Sequence, residues 1–298
     1  MEKKIDLHIH TVCSDGAFSP KEIIDIAKKS EVSVISIADH DTVGAYTKEL
    51  FEYAKEKNIK LIPAVEISTK IEKVGIHVLG YNIDLKDNNL LEKLNLLRNA
   101  RHDYLNEVSK MLCSLGYIVN VSELNKVEAV TKAHISLDVI NNEKNKEKLL
   151  EEFGHIPDKG EFIEKIMNEG CPAYVVKNTI TPKEAAELIR NAKGKVVLAH
   201  PVAYKYEDNL TIEEILNIVR DMKADGIEAN YFYIDCNKNK VNDIKLWNEF
   251  AKKNNLKTTI GSDFHTIDSV HPVIGLLNED IHLSLEEASN IVNWLEEN

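Results

Sequence analysis

Asp6-Leu7-His8-Ile9-His10 closes the first apolar run of the chain, and its reading decides the fold. Side chains alternate along a strand, so His8 and His10 point one way while Leu7 and Ile9 point the other. Two imidazoles on one face at a strand end are half of a metal site. The same punctuation recurs along the chain. Ala38-Asp39-His40-Asp41-Thr42 follows Val34-Ile35-Ser36-Ile37, Glu66 closes Leu61-Ile62-Pro63-Ala64-Val65, and His200 ends Val196-Val197-Leu198-Ala199. Gly261-Ser262-Asp263-Phe264-His265 adds an aspartate and a histidine, again two residues apart. Donors gathered at successive strand ends point to a multinuclear metal cluster at a barrel mouth, and so to metal-assisted hydrolysis.

Each piece also has a plainer reading. Asp15 in Ser14-Asp15-Gly16 fits a turn, because Asp-Gly is a common turn pair. Asp39 could orient the His40 ring, and either Asp39 or Asp41 could cap a helix N-terminus. His77, within Ile76-His77-Val78-Leu79, and His200 would each pass alone for a satisfied core histidine. Glu66 is harder to dismiss, since a carboxylate closing an apolar strand must be paired, metal-bound or solvent-facing. His102, His155, His271 and His282 lie in helical or polar contexts and read as solvated.

Outward from these motifs, strand and helix alternate. Strands are predicted at 5–9, 32–38, 60–65 and 75–81, with helices at 20–29, opened by Ser19-Pro20, and near 43–57. Such alternation implies mostly parallel strands covered by helices. The rhythm breaks from about Asn88 to Gly170, where the pattern is almost wholly helical. Leu90, Leu91, Leu94, Leu97, Leu105, Val108, Met111, Leu112 and Leu115 form an apolar stripe that Gly116 can end. Alternation resumes with a helix at 181–191, opened by Thr181-Pro182, and the strand 195–199. A helix near 211–224, a strand at 226–229, a helix near 239–254, the strand 257–260 and a helix near 284–296 complete the chain. The expected fold is therefore an α/β barrel domain made of residues 1–87 and 171–298, with a helical insertion domain over 88–170 beside its mouth.

The bulk numbers exclude several classes. At 298 residues, 43% hydrophobic and 29% charged, the chain has the composition of an ordinary globular protein. A net charge of -12 argues against a generic nucleic-acid surface, though a metal cluster would supply local positive charge for a nucleotide. No apolar run approaches the roughly 18 residues of a membrane span, and Met1-Glu2-Lys3-Lys4 leads straight into a strand, so neither a span nor a signal peptide is expected. Cys13, Cys113, Cys171 and Cys236 form no Cys-x-x-Cys pair and read as reduced thiols of a cytoplasmic protein.

Taken together, His8-x-His10, Ser14-Asp15-Gly16, Asp39-His40-Asp41-Thr42, Glu66, His77-Val78-Leu79-Gly80-Tyr81, Ala199-His200-Pro201 and Ser262-Asp263-Phe264-His265 resemble the polymerase-and-histidinol-phosphatase (PHP) superfamily. The likeness spans almost the whole chain. It is strongest to small metal-dependent phosphoesterases that carry a helical insertion, among them 3',5'-nucleoside bisphosphate phosphatases and 5'-3' exoribonucleases. The resemblance implies a distorted (β/α)7 barrel holding up to three divalent metals. His8, His10, Glu66 and Asp263 would bind the first, bridging Glu66 with His77 and His200 the second, and Asp15, His40 and His265 the third. Mixed imidazole and carboxylate donors suit manganese first, or iron or zinc, better than magnesium.

The activity so implied is direct hydrolysis of a phosphate ester by a metal-bridged hydroxide, with Glu66, His200, Asp263 and His265 at the reacting centre. Its substrate would be a nucleotide or short oligonucleotide, with no stable nucleic-acid partner and no membrane. Arg98 and Arg101, three residues apart and so on one helix face, resemble the family's insertion arginines. Tyr174 and Lys177 match a segment that contacts phosphate in relatives, and His134 matches a histidine that faces the active site. Lys132-Ala133 stands where the family usually has Arg-Pro, and lysine lacks the bidentate fork. Each of these cations alone also fits a solvated surface charge. Histidinol phosphate is the alternative substrate, and a metal-binding scaffold without catalysis the alternative class.

Overall fold

The computed structural model describes residues 4–235, 238–268, 271–275, 281 and 283–297; Cys236 and His282 fall outside them. The chain divides into two compact units, one formed by the residues up to Lys93 and from Ile180 onward, the other by Leu94–Thr179.

The first unit is α/β. Strand β1 (Lys4–Ile9) leads to helix α1 (Pro20–Lys29), then β2 (Val32–Ile37), α2 (Lys48–Glu56) and a two-residue β3 (Lys60–Leu61). These strands form a parallel sheet in the order β1-β2-β3. β4 (Ala64–Ile71) and β5 (Val74–Tyr81) follow and belong to a second sheet. After the inserted unit come α8 (Pro182–Asn191), β6 (Lys195–Leu198), α9 (Pro201–Tyr206), α10 (Ile212–Asp221) and β7 (Gly226–Asn230). A small ribbon of β8 (Tyr233–Ile234) and β9 (Lys240–Val241) precedes α11 (Ile244–Lys253), β10 (Lys257–Ile260) and α12 (Leu285–Glu296). The second sheet runs β10-β7-β6-β5-β4. Two single bridges join the sheets, Ile9 to Phe264 at one edge and His40 to Glu66 at the other.

The sheets also share one core. Ile5 and Leu7 of β1, Leu79 and Tyr81 of β5, Val197 of β6 and Ile260 of β10 pack together, with Trp294 and Leu295 of α12 against them. The Tyr81 hydroxyl crosses this core to donate to the Leu7 carbonyl at 3.0 Å. A separate cluster, with Ile23, Ile24, Leu50, Ile35 and Ile37, packs α1 and α2 on the outer side of the first sheet.

The helix starts follow their signals. Ser19 and Glu22 form a reciprocal capping box ahead of α1, as do Thr181 and Glu184 ahead of α8, Thr211 and Glu214 ahead of α10, and Ser284 and Glu287 ahead of α12.

Several expectations change, and the helix predicted near 239–254 begins only at Ile244, after β9. β5 is not parallel to its neighbours, because only Glu72 and Lys73 separate it from β4, and a two-residue link can join strands only as an antiparallel hairpin. The strand predicted at 60–65 is interrupted around Pro63, which has no N–H for a ladder, and resumes as the longer β4. The helix predicted near 43–57 begins only at Lys48, capped by Thr47, whose side chain accepts the Leu50 N–H. α9 was not foreseen, since six residues are too short to show a helical period.

The second unit is helical. α3 (Asn88–Ser114) begins in the first unit, and α4 (Val121–Leu124), α5 (Lys132–Asn141), α6 (Lys146–Phe153) and α7 (Lys159–Phe162) follow. Leu105, Val108 and Leu112 of α3 pack with Ile135, Val139, Leu149 and Phe162. Met111 is the exception within the predicted stripe, lying exposed. Gly116, at φ +90°, lets the Gly116 and Tyr117 N–H groups return to the carbonyls of Cys113 and Leu112 and end the helix. Ala173 and Val175 pack into this core, so the compact unit extends beyond Gly170. No helix among the described residues is long and apolar enough to cross a membrane.

One side chain ties the rim of the first unit together. The Tyr46 hydroxyl accepts the N–H groups of Ile37 (3.0 Å) and Ala64 (2.8 Å), and lies 2.7 Å and 3.0 Å from the carbonyls of Ile37 and Ile62, one of which takes its proton. It thereby links the end of β2 to the start of β4, the two segments that carry His40 and Glu66. Tyr46→Phe leaves these backbone groups without their partner and is expected to lower the unfolding free energy by about 1–3 kcal/mol in a urea titration. A change within a few tenths of a kcal/mol would show that the link is dispensable.

Candidate metal centre

The strand ends of the first unit converge on Glu66, which is 1% exposed. Its position follows from the hydrogen bonds at the seam: Asp41 N–H donates to the Glu66 carbonyl, and Glu66 N–H to that of Asp39. Around the carboxylate stand five imidazoles from four different segments, and the two oxygens have separate neighbours.

Glu66 Oε2 lies 3.3 Å from both His8 Nε2 and His10 Nε2. Those two nitrogens are 3.1 Å apart, and Asp263 Oδ1 stands 3.5 Å and 3.0 Å from them. Glu66 Oε2 and Asp263 Oδ1 thus each contact the same pair of imidazole nitrogens. Glu66 Oε1 lies 3.0 Å from His77 Nδ1 and 3.2 Å from His200 Nε2, themselves 3.3 Å apart. A third group lies beside them: Asp15 Oδ1 is 3.3 Å from His265 Nε2 and 3.6 Å from His10 Nδ1, and Asp15 Oδ2 is 3.9 Å from His40 Nε2. His40 Nδ1 turns the other way, to Glu66 Oε2 at 3.0 Å.

These contacts fit metal ligands better than hydrogen bonds. Two donors about 2.1 Å from one ion and at roughly right angles lie about 3 Å apart. Two Nε2 atoms at 3.1 Å cannot both donate to each other, whereas two lone pairs on one ion would sit at this spacing. Glu66 Oε2, Asp15 Oδ1 and His40 Nδ1 are moreover buried and make no hydrogen bond among the described residues. Unsatisfied buried polar atoms are costly, and a cation shared by several of them removes the cost. His8 with His10 and Glu66, His40 with Glu66 and His77, and His10 with Asp15, His40 and His265 each cluster closely enough to hold an ion.

Electrostatics reinforce the set. Burial pushes the Glu66, Asp15 and Asp263 carboxyls up, but the imidazoles packed against them reverse this and hold all three well below the usual carboxylate range. Burial likewise works against charge on His10, yet Asp263 and Glu66 raise its pKa to about 10. His77, Asp263 and His265 are 30%, 21% and 23% exposed, so the cluster opens to solvent on their side.

Supporting residues complete the arrangement. Asp39 accepts the Thr11 N–H at 2.7 Å and the hydroxyls of Thr11 and Ser14 at 2.6 Å, and Ser14 Oγ lies 3.3 Å from His10 Nδ1. Asp41 caps no helix; its carboxylate accepts the Ser68 N–H at 2.9 Å and stiffens β4 two residues past Glu66. Asp6 accepts N–H groups from Ser262 and Gly275, both at 3.0 Å, tethering the loop that carries Asp263. Glu228, buried in β7 against His8, was missed by the sequence reading. Its signal was available, as a carboxylate in the middle of the apolar run Gly226-Ile227-Glu228-Ala229.

The expected substrate residues all lie in the second unit. Arg98 Nε is 3.4 Å from Glu128 Oε1, and buried Arg101 donates to the Val130 carbonyl at 3.2 Å, so both arginines meet the same segment. Lys132 donates to Asn168 Oδ1 at 2.9 Å, and His134 forms a capping box with Thr131 at the start of α5. Tyr174 and Lys177 are half-buried beyond the helices. Of the histidines read as solvated, His155 and His271 are exposed, while His102 is half-buried with Nδ1 3.2 Å from Asn125 Oδ1.

The family model described as PHP domain matches residues 6–239. The chain is 32% identical over 271 residues to a 5'-3' exoribonuclease of Haemophilus influenzae, covering 89% of this chain and 91% of that protein. It is 25% identical to a 3',5'-nucleoside bisphosphate phosphatase of Chromobacterium violaceum, with 88% and 87% covered. Among solved structures, an amidohydrolase from Chromobacterium violaceum with bound sulfate and no metal superposes with a TM-score of 0.73 at 23% identity, covering 96% of this chain and all of that one.

The electrostatics yield a direct test of metal binding. An imidazole must lose its proton before its nitrogen can bind an ion. An ordinary histidine is already neutral near pH 8, whereas His10 stays protonated up to about pH 10 in the metal-free site. Loading manganese or zinc near pH 8 is therefore expected to release at least about one proton per protein. Affinity should rise with pH until His10 has titrated. Calorimetry in buffers of different ionisation enthalpy measures the release; heats independent of the buffer would contradict it.

Proposed function

This chain belongs to the PHP domain family, and we propose that it is a metal-dependent phosphoesterase acting on nucleotides or short oligonucleotides. The observation that carries the reading is the division of the Glu66 carboxylate, one oxygen facing His8, His10 and His40, the other His77 and His200. A carboxylate so divided is suited to bridge two cations. In this reading His8, His10, Glu66 and Asp263 hold one divalent ion, Glu66, His77 and His200 a second, and Asp15, His40 and His265 a third. Manganese is the preferred metal on donor chemistry, with iron or zinc acceptable. The two sheets are read as a distorted (β/α)7 barrel, with β3 and β4 as one interrupted strand; the bridges at Ile9–Phe264 and His40–Glu66 support this.

When bound, such ions lower the pKa of water and neutralise developing phosphate charge. The chain's own residues do the rest. Glu66 fixes the spacing of the two donor sets. Asp263, His77 and His265 form the open side on which a phosphate would approach, and the Tyr231 hydroxyl, 3.3 Å from Asp263 Oδ2, steadies that carboxylate. Ser14, the hydroxyl beside His10, is buried and donates to Asp39, which leaves it poorly placed as a nucleophile. Attack by water without a covalent intermediate is the route this supports. Arg98, Arg101, Lys132, His134, Tyr174 and Lys177 are assigned to substrate binding. An exoribonuclease and a nucleoside bisphosphate phosphatase among the relatives favour a nucleotide over histidinol phosphate.

Phosphate and nucleotide release with manganese present is the test, using a 3',5'-bisphosphate nucleotide, a 5'-phosphorylated short RNA and histidinol phosphate. Turnover of either nucleotide substrate is expected. Silence on all three with metal bound would instead make the chain a scaffold. Glu66→Gln is expected to reduce turnover by about 100-fold or more while the circular dichroism spectrum is retained. Near-normal turnover in that variant would overturn the bridging role.

A further inference from the structure

Glu228 occupies the middle of β7 and is 0% exposed. Its oxygens lie 3.0 Å and 3.1 Å from His8 Nδ1, and its Oε2 also accepts the His200 N–H at 3.0 Å. It stands behind His8, on the ring edge opposite the one that faces Glu66, His10 and Asp263. A buried carboxylate is retained only where such partners satisfy it.

We propose that Glu228 is a positioning residue for the metal centre, holding His8 with its proton on Nδ1 and its lone pair on Nε2 while fixing the backbone that carries His200. The inference rests on the reading of His8 and His200 as metal ligands. A neutral imidazole has one donating and one accepting nitrogen. A carboxylate at Nδ1 claims the donor, so Nε2 must present its lone pair to the cluster. The second half of the role concerns strain. His200 sits at φ 24° and ψ 60°, a conformation that non-glycine residues adopt only when their surroundings impose it. The bond from its N–H to Glu228 is one such restraint. A single carboxylate thus couples a donor of the first ion to a donor of the second.

Gly261 makes room for the pair. A Cβ at this position would lie 2.3 Å from Glu228 Oε1 and 2.3 Å from His8 Cβ, so any side chain there would drive the two apart. The restriction is one of space and does not depend on backbone angle.

The test compares wild type, Glu228→Gln and Gly261→Ala by zinc and manganese titration against a competing chelator. Histidine-labelled nitrogen NMR of the zinc-loaded wild type reads the His8 tautomer directly. Both variants are expected to bind one ion about 10–100-fold more weakly, with turnover recovering at raised metal concentration. Wild-type His8 is expected to carry its proton on Nδ1. A His8 protonated on Nε2 overturns the proposal without needing any variant to fold. So does unchanged affinity in Glu228→Gln alongside a wild type that binds metal. A wild type that binds no metal overturns the ligand assignment itself, and this proposal falls with it.

Discussion

The architecture turns on keeping one carboxylate, Glu66, ionised and immobile among imidazoles in a place water barely reaches. Left to burial alone, that carboxyl would take up a proton. The surrounding histidines hold it charged, and it in turn draws their nitrogens inward. Neighbouring elements serve this arrangement. The seam between Asp39, Asp41 and Glu66 sets its height, the Tyr46 hydroxyl ties the two segments that form the seam, and the shared core beneath keeps the strands in register.

Behind the donors stands a layer of carboxylates that touch no common point but fix what does. Asp39 braces the His10 turn through Thr11 and Ser14, Asp6 holds the Ser262–Asp263 loop, and Glu228 backs His8. Each satisfies its own charge with backbone N–H groups, hydroxyls or a ring nitrogen. The acidic balance of the chain is thus partly internal, with negative charge invested where positive ions would sit.

Much of this was legible in sequence because donors that end apolar runs are conspicuous. His8, His10, His40, Glu66 and His200 each interrupt or close a hydrophobic segment, and the structure brings those segments to one end of the first unit. Some helix starts were equally readable, those where Ser19, Thr181 and Ser284 carry their partner glutamates three residues on. What escaped were pairings between distant segments, which have no local signature. The reversal of β5 depends on a two-residue link that a strand pattern does not reveal. Asp39 and Asp41 could be capping residues until their partners Thr11 and Ser68 are seen in space. Glu228 lies inside a strand, 220 residues from the histidine it serves, and contacts at that separation leave no periodicity to read.

Gly261 gives that hidden contact a visible proxy. The His8–Glu228 pair fills the volume where a side chain at 261 would sit, so the three positions are constrained as a unit. In any homologous chain, an alanine or larger residue at the equivalent position signals that the pair has been displaced, even if both partners are retained. A position with no chemistry of its own thereby becomes a diagnostic of whether the first donor is still locked.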